Sequence, residues 1–200
     1  MDAQEALRLL RDVRDCAFAT VDERGNPHVR IVDVMIVEDG KLYFCTSRGK
    51  EFHHQLTRSG RVAITGLNSQ WQTVRIAGAV RKLDDQRFWI DRIFDENPSM
   101  NAVYPGKARY ILDAFCIDAG QMEFFDLGTE PIYRERIDFG EDIDVHGFKI
   151  GDECIGCGLC ASSCPQHCIA EGVPYCIEPA HCLHCGLCYE NCPVNAIASL

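Results

Sequence analysis

Residues 151–200 contain no lysine and no arginine. A segment of that kind has nothing to offer a phosphate backbone, and the whole chain is acidic too, with 20 Lys and Arg against 30 Asp and Glu and a formal charge of −10. Nucleic acid and anionic membrane are therefore not expected as partners. Long apolar runs are also missing: none approaches the ~18 residues that a bilayer-spanning helix needs. The start, Met1-Asp2-Ala3-Gln4-Glu5, lacks the basic residues and apolar stretch of a secretory signal. The expected location is cytoplasmic. No Gly-x-Gly-x-x-Gly fingerprint occurs, which leaves out a built-in Rossmann dinucleotide domain.

Cysteine, by contrast, is abundant. There are 13, and Cys154, Cys157, Cys160, Cys164, Cys168, Cys176, Cys182, Cys185, Cys188 and Cys192 all fall in the Lys- and Arg-free segment. The odd count and the absence of an export signal argue against a disulfide scaffold and for metal or cluster ligation. Cys154-Ile-Gly-Cys157-Gly-Leu-Cys160-Ala-Ser-Ser-Cys164-Pro165 recurs 28 residues on as Cys182-Leu-His-Cys185-Gly-Leu-Cys188-Tyr-Glu-Asn-Cys192-Pro193. Both copies have the C-x2-C-x2-C-x3-C-P spacing of 4Fe–4S ligation in bacterial ferredoxins. Three close thiolates wrap one corner of a cluster, while the more distant fourth points to the other. Gly156, Gly158 and Gly186 allow close backbone approach and N–H donation to sulfur. The expected ligand sets are Cys154, Cys157, Cys160 and Cys192 for the first cluster, and Cys182, Cys185, Cys188 and Cys164 for the second. The rival, structural zinc, takes two separate Cys-x2-Cys pairs and gains nothing from a third close thiol.

This segment resembles the two-cluster bacterial ferredoxins along its whole length. It departs from them at Cys168, where the family usually has alanine. Cys168 and Cys176 are expected to be small buried core residues, and His167, His181 and His184 to be surface or packing residues.

Ahead of the repeats the periodicity changes. A helix is expected over 2–14, then a strand at 16–22 and, after the turn residues 24–27, a long strand over 28–37. An Asp39-Gly40 hairpin leads to 41–46. A helix at 50–58, strands at 61–67 and 70–82, and a helix at 84–95 capped by Asp84 or Asp85 follow. Two last strands, 110–118 and 121–126, are expected to meet at Ala119-Gly120. The fold class is α+β: an antiparallel sheet of six or seven strands, closed as a barrel or sandwich, with three helices, followed by a small ferredoxin-like domain. The expected boundaries are 1–130, a connecting segment 131–149, and 150–200.

The run Pro27-His-Val-Arg30-Ile-Val-Asp-Val, followed by Asp39-Gly-Lys-Leu-Tyr-Phe-Cys45-Thr46-Ser47-Arg-Gly-Lys50, Arg61-Val-Ala-Ile64 and Val74-Arg-Ile-Ala-Gly78, resembles the pyridoxamine-phosphate-oxidase-like split barrel over about residues 3–127. That resemblance implies FMN at the interface of a homodimer. Arg30, Thr46, Ser47 and Lys50 match the phosphate-holding positions, and such a phosphate needs charge and N–H or hydroxyl donors. Arg30, Ile31, Val32 and Cys45 would line the isoalloxazine, with Gln72 and Arg75 bordering the ring or substrate. The bland alternatives are an ion-pair role for Arg30, an exposed helix start at Lys50, capping by Thr46 and Ser47, and surface positions for His53 and His54. Trp71 and Trp89 read as core or dimer-contact residues. No match exists for the C-terminal vitamin-binding segment of true pyridoxamine-phosphate oxidases, so that activity is not expected.

Clusters move single electrons and flavins exchange one or two. The fusion suits an iron–sulfur flavoprotein oxidoreductase that relays electrons between two 4Fe–4S clusters and FMN for two-electron chemistry on a small substrate. A redox protein with a basic docking face would suit the acidic C-terminal surface. The alternative is an electron carrier or redox sensor whose barrel serves only for docking or dimerisation.

Overall fold

The structure is a computed structural model and describes residues 1–142 and 146–200. Contacts divide the chain into two compact units, residues 1–124 with 136–143 and residues 125–135 with 144–200. The segment expected to connect two domains is thus shared between the units.

The first unit begins with α1 (Ala3–Val13), opened by a capping box. The Asp2 carboxylate accepts from the Glu5 N–H at 2.8 Å, and the Glu5 side chain accepts from the Asp2 N–H at 2.9 Å. Ala6, Leu7 and Leu10 face the core. The strands are β1 (Asp15–Val21), β2 (Pro27–Asp33), β3 (Ile36–Glu38), β4 (Lys41–Ser47), β5 (Arg61–Leu67), β6 (Gln72–Lys82), β7 (Leu112–Asp126) and β8 (Tyr133–Ile137). Between β4 and β5 lies α2 (Glu51–Ser59), ended by Gly60 in the left-handed region at φ 62°. After β6 come α3 (Gln86–Glu96), with Asp85 as its N-cap, and the short α4 (Met100–Val103).

The sheet runs β2-β1-β5-β6-β7-β4-β3, with β8 paired to β7 off that path. It curls into an antiparallel half-barrel flanked by helices. Phe18, Phe44, Phe52 and Phe115 fill its inner face, with Phe44 5.0 Å from Phe18 and 5.6 Å from Phe115 between ring centroids. The other face of β4 presents Tyr43 and Cys45 to an apolar layer that includes Ile90, Ile93 and Phe94 of α3, and Trp89 stacks on Tyr43 at 4.6 Å. Trp71 stands 62% exposed in the β5–β6 turn.

Two strand expectations are corrected. The single strand over 28–37 is broken after Asp33, because the Val34 N–H turns to the Arg14 carbonyl and the Met35 N–H to the Tyr43 carbonyl. The two strands thought to meet at Ala119-Gly120 are one 15-residue strand, β7. Gly120 is there for close approach rather than for a turn: a Cβ on it would lie 2.6 Å from the Cα of Gly78, and a Cβ on Gly78 would lie 2.5 Å from the Ala119 carbonyl oxygen. Gly78→Ala is accordingly expected to cost ~1–3 kcal/mol of stability, the range for overpacking. Gly49→Ala, with nothing within 4 Å of the added carbon, should leave the midpoint of urea unfolding unchanged. Equal midpoints for the two variants would refute the crossing-strand account.

The second unit repeats itself. The pair β9 (Phe148–Ile150) and β12 (Ile197–Ser199) is antiparallel, as is the pair β10 (Ile169–Ala170) and β11 (Cys176–Ile177). The helices α5 (Leu159–Ser163) and α6 (Leu187–Glu190) sit between. The 28-residue offset carries one half onto the other, down to the left-handed positions. Gly156 and His184 have φ 71° and 54°, Gly158 and Gly186 have 76° and 81°, and His167 and Asn195 have 50° and 52°. Backbone path, not residue type, is what the repeat preserves. Among the described residues no helix is long and apolar enough to cross a membrane.

Candidate functional site

The repeats of the second unit form two cavities of nearly equal size, about 340 and 310 Å³ counting the mouth open to solvent. One is lined by Cys154, Cys157 and Cys160 of the first repeat and by Cys192 of the second. The other is lined by Cys182, Cys185 and Cys188 of the second repeat and by Cys164 of the first, with Cys168 as a fifth thiol. Apolar side chains complete the walls, Ile150, Ile155 and Ile197 in one and Ile169, Ile177 and Leu187 in the other. The thiols stand around a space, not around a point; among the described residues no three His, Cys, Asp or Glu converge tightly enough for a single ion.

The donor chemistry of these walls fits an anionic sulfur-bridged cluster. The backbone N–H of His184 donates to Cys182 Sγ at 3.4 Å and that of Ala196 to Cys192 Sγ at 3.2 Å. Burial pushes the Cys164 thiol up, but N–H groups of Cys168, Gln166 and His167 outweigh it and hold the thiol below its ordinary value. Cys168 goes the other way, its pKa pushed up to about 12 by burial and by Cys164. Cys168 is buried as expected, whereas Cys176 is exposed, on a strand of two residues that leaves it uncovered. His181 Nδ1 lies 2.7 Å from the Ile132 carbonyl.

In the half-barrel the polar constellation gathers around α2. Arg30 reaches from the edge strand β2 across β1. Its Nη1 donates to Thr20 Oγ1 at 2.7 Å and to the carbonyls of Phe18 and His28, its Nη2 donates to Gln55 Oε1 at 2.9 Å, and its guanidinium lies 4.5 Å over the Phe52 ring. All these partners are neutral, so the charge is held in place without being cancelled. Lys50, exposed, is the N-cap of α2, and no side chain caps that terminus. Neither cation has a carboxylate partner among the described residues. Thr46 is 4% exposed and Ser47 half-buried at the end of β4. An uncancelled guanidinium, an uncancelled ammonium and an uncapped helix start fit a phosphate monoester.

Beside them is a group that the sequence did not reveal. Asp113, 2% exposed, accepts from Lys82 Nζ at 2.6 Å, Arg48 Nη1 at 3.0 Å and His53 Nε2 at 2.8 Å. Burial pushes its carboxyl up, but the three donors prevail and hold it below the ordinary value. His53, expected at the surface, is 8% exposed in the first turn of α2, and its buried Nδ1 has no hydrogen-bond partner among the described residues. The correction has a simple cause: the register Thr46↔Asp113 sets a buried carboxylate opposite the residue pair that leads into α2.

The other expected flavin residues are dispersed. Ile31 is 64% exposed and Val32 half-buried on β2. The Cys45 thiol is packed in the apolar layer under α3, its pKa pushed up to about 12 by burial, so the thiol itself is committed to the core. Gln72 accepts from Asn68 Nδ2 at 3.0 Å and lines a groove with Glu5, Arg8 and Asp12 of α1. Arg75 is exposed on β6.

Comparison with known proteins divides the chain in the same way. Residues 3–98 match the family model of pyridoxamine 5'-phosphate oxidase, and residues 149–170 and 175–198 match that of the 4Fe-4S binding domain. A pyridoxine/pyridoxamine 5'-phosphate oxidase of Legionella pneumophila is 27% identical over 125 residues, 58% of this chain and 56% of that protein. The chain thus spans little more than half the length of that relative. A ferredoxin of Butyribacterium methylotrophicum is 54% identical over 33 residues, 16% of this chain and 60% of that protein. Among solved structures, a NimC/NimA family protein from Clostridium acetobutylicum superimposes with a TM-score of 0.57 at 24% identity, covering 67% of this chain and 90% of that one. A protein from the same organism related to general stress protein 26 gives 0.52 at 13% identity, over 66% and 95%. These structures establish the split-barrel fold.

Proposed function

We propose that this chain, which joins a pyridoxamine-phosphate-oxidase-like split barrel to a 4Fe–4S ferredoxin-type domain, is an iron–sulfur flavoprotein relaying single electrons between two clusters and FMN for two-electron conversion of a small substrate. The observation that carries this reading is the sorting of eight thiols into two like cavities, each drawing three from one repeat and one from the other. Cys154, Cys157, Cys160 and Cys192 hold one cluster; Cys182, Cys185, Cys188 and Cys164 hold the second. Bound clusters supply one-electron transfer and the flavin one- or two-electron chemistry.

The rest is the work of the chain's own groups. Arg30 and Lys50 bring charge to the flavin phosphate, and Thr46 and Ser47 bring hydroxyl donors. Ile31 and Val32 offer an apolar edge to the ring, Cys45 its backbone alone, and Gln72 and Arg75 stand at the ring or substrate border. Val29 and Ile31, 71% and 64% exposed on the edge strand β2, are an apolar surface that a second copy of the chain would cover.

Anaerobically prepared full-length protein is expected to contain about eight iron and about eight acid-labile sulfide per chain, to release FMN on denaturation, and to run as a dimer. Stoichiometric zinc without sulfide would contradict the cluster assignment. Iron and sulfide without any flavin would favour the electron-carrier alternative.

A further inference from the structure

We infer that Cys168 donates a hydrogen bond to the sulfur of Cys164 and so makes the cluster of the Cys182, Cys185, Cys188 and Cys164 cavity the easier of the two to reduce. The inference rests on the ligand sets proposed above.

Three observations support it. Cys168 Sγ lies 3.5 Å from Cys164 Sγ, is 6% exposed and lines the same cavity. A ligating Cys164 is a thiolate with no proton to give, so the S–H between the two sulfurs belongs to Cys168. The chain also contains its own control. The 28-residue offset that carries Cys164 onto Cys192 carries Cys168 onto Ala196. The Ala196 N–H donates to Cys192 Sγ at 3.2 Å, so that half supplies a backbone donor but no thiol to its fourth ligand. A thiol beside the fourth ligand therefore exists in one half only.

One cation also lies on this side. Arg134 Nη1 donates to the Cys182 carbonyl at 3.3 Å, bringing a guanidinium to the loop of the same cavity, while residues 151–200 supply no Lys or Arg to either. Reduction adds one negative charge to a cluster. Donors to its sulfurs and nearby cations stabilise that charge and raise the potential. An electron that enters the pair then settles on the Cys164 side, leaving the other cluster as the low-potential member. Cys168 acts through Cys164, as a tuning residue and not as a ligand.

The test is an anaerobic redox titration of the full-length protein followed by electron paramagnetic resonance, with iron and sulfide measured on every sample. Cys168→Ala should keep both clusters and lower the higher of the two potentials, narrowing the gap. Cys168→Ser, which retains an O–H donor, should recover most of that shift. Ala196→Cys should raise the lower potential. Unchanged potentials in Cys168→Ala, a widened gap, or loss of iron in that variant would each overturn the inference. A wild-type preparation lacking about eight iron per chain would instead overturn the cluster reading on which it rests.

Discussion

Replacing Cys192 with alanine is expected to empty the cavity of Cys154, Cys157 and Cys160, in the opposite repeat, and to spare the cavity of its own repeat. Iron and sulfide should fall from about eight to about four per chain, because one four-iron cluster goes and one stays. Cys192 is a cleaner choice than Cys164, since Cys168 places a second sulfur 3.5 Å from Cys164 and the position after the second Cys-Pro-x-x is Ala196. Paired substitutions identify which cluster is lost. Cys157→Ala with Cys192→Ala should still leave about four iron, because both residues line one cavity. Cys185→Ala with Cys192→Ala should leave almost none, because they line different cavities. The reverse pattern would show that each repeat holds its own cluster.

Arg30→Ala should weaken FMN binding by roughly 10- to 100-fold, since a hydrogen bond to a charged group is worth ~1.5–3 kcal/mol and each tenfold corresponds to ~1.4 kcal/mol. It should also lower the melting temperature of the flavin-free protein. The guanidinium ties Thr20 and Gln55, 5% and 4% exposed, to β2, and its loss leaves buried acceptors short of a donor. Lys50→Ala separates the two effects. Its side chain makes no capping bond and lies in solvent, so flavin affinity should fall while the flavin-free melting temperature holds. Fluorescence titration with FMN and thermal unfolding without it are the measurements. Wild-type affinity in both variants would move the phosphate site elsewhere.

How much of this was legible in the sequence depends on how far apart the interacting residues lie. The cysteine repeats are local in spacing, and the alternation of Val62, Ile64 and Gly66 on β5 is readable residue by residue. The half-barrel with its three main helices follows from patterns of that kind. The break at Val34-Met35 does not, because the apolar alternation runs through it and the bonds that cause it go to Arg14 and Tyr43. The role of Gly120 was hidden for a similar reason: Ala-Gly is ordinary turn chemistry, and only the approach of Gly78 on β6 gives it another use. His53 and Asp113 are 60 residues apart, joined through the pairing of β4 with β7, which are not consecutive in the chain. The contact of Cys168 with Cys164, four residues apart, was within reach of the sequence, but its meaning emerged only when both thiols lined one cavity.

The relay itself is tested most directly by reducing full-length, FMN-loaded protein anaerobically with a low-potential protein donor and following the flavin absorbance. The comparison is a full-length variant lacking both clusters, with Cys157 and Cys185 changed to alanine, loaded with the same amount of FMN. If electrons pass through the clusters, the flavin band should bleach promptly in the wild type and far more slowly in the variant. Chemically reduced flavin in both proteins should behave alike toward an added acceptor. Equal bleaching rates with and without the clusters would contradict the relay and leave the second unit a role other than electron delivery.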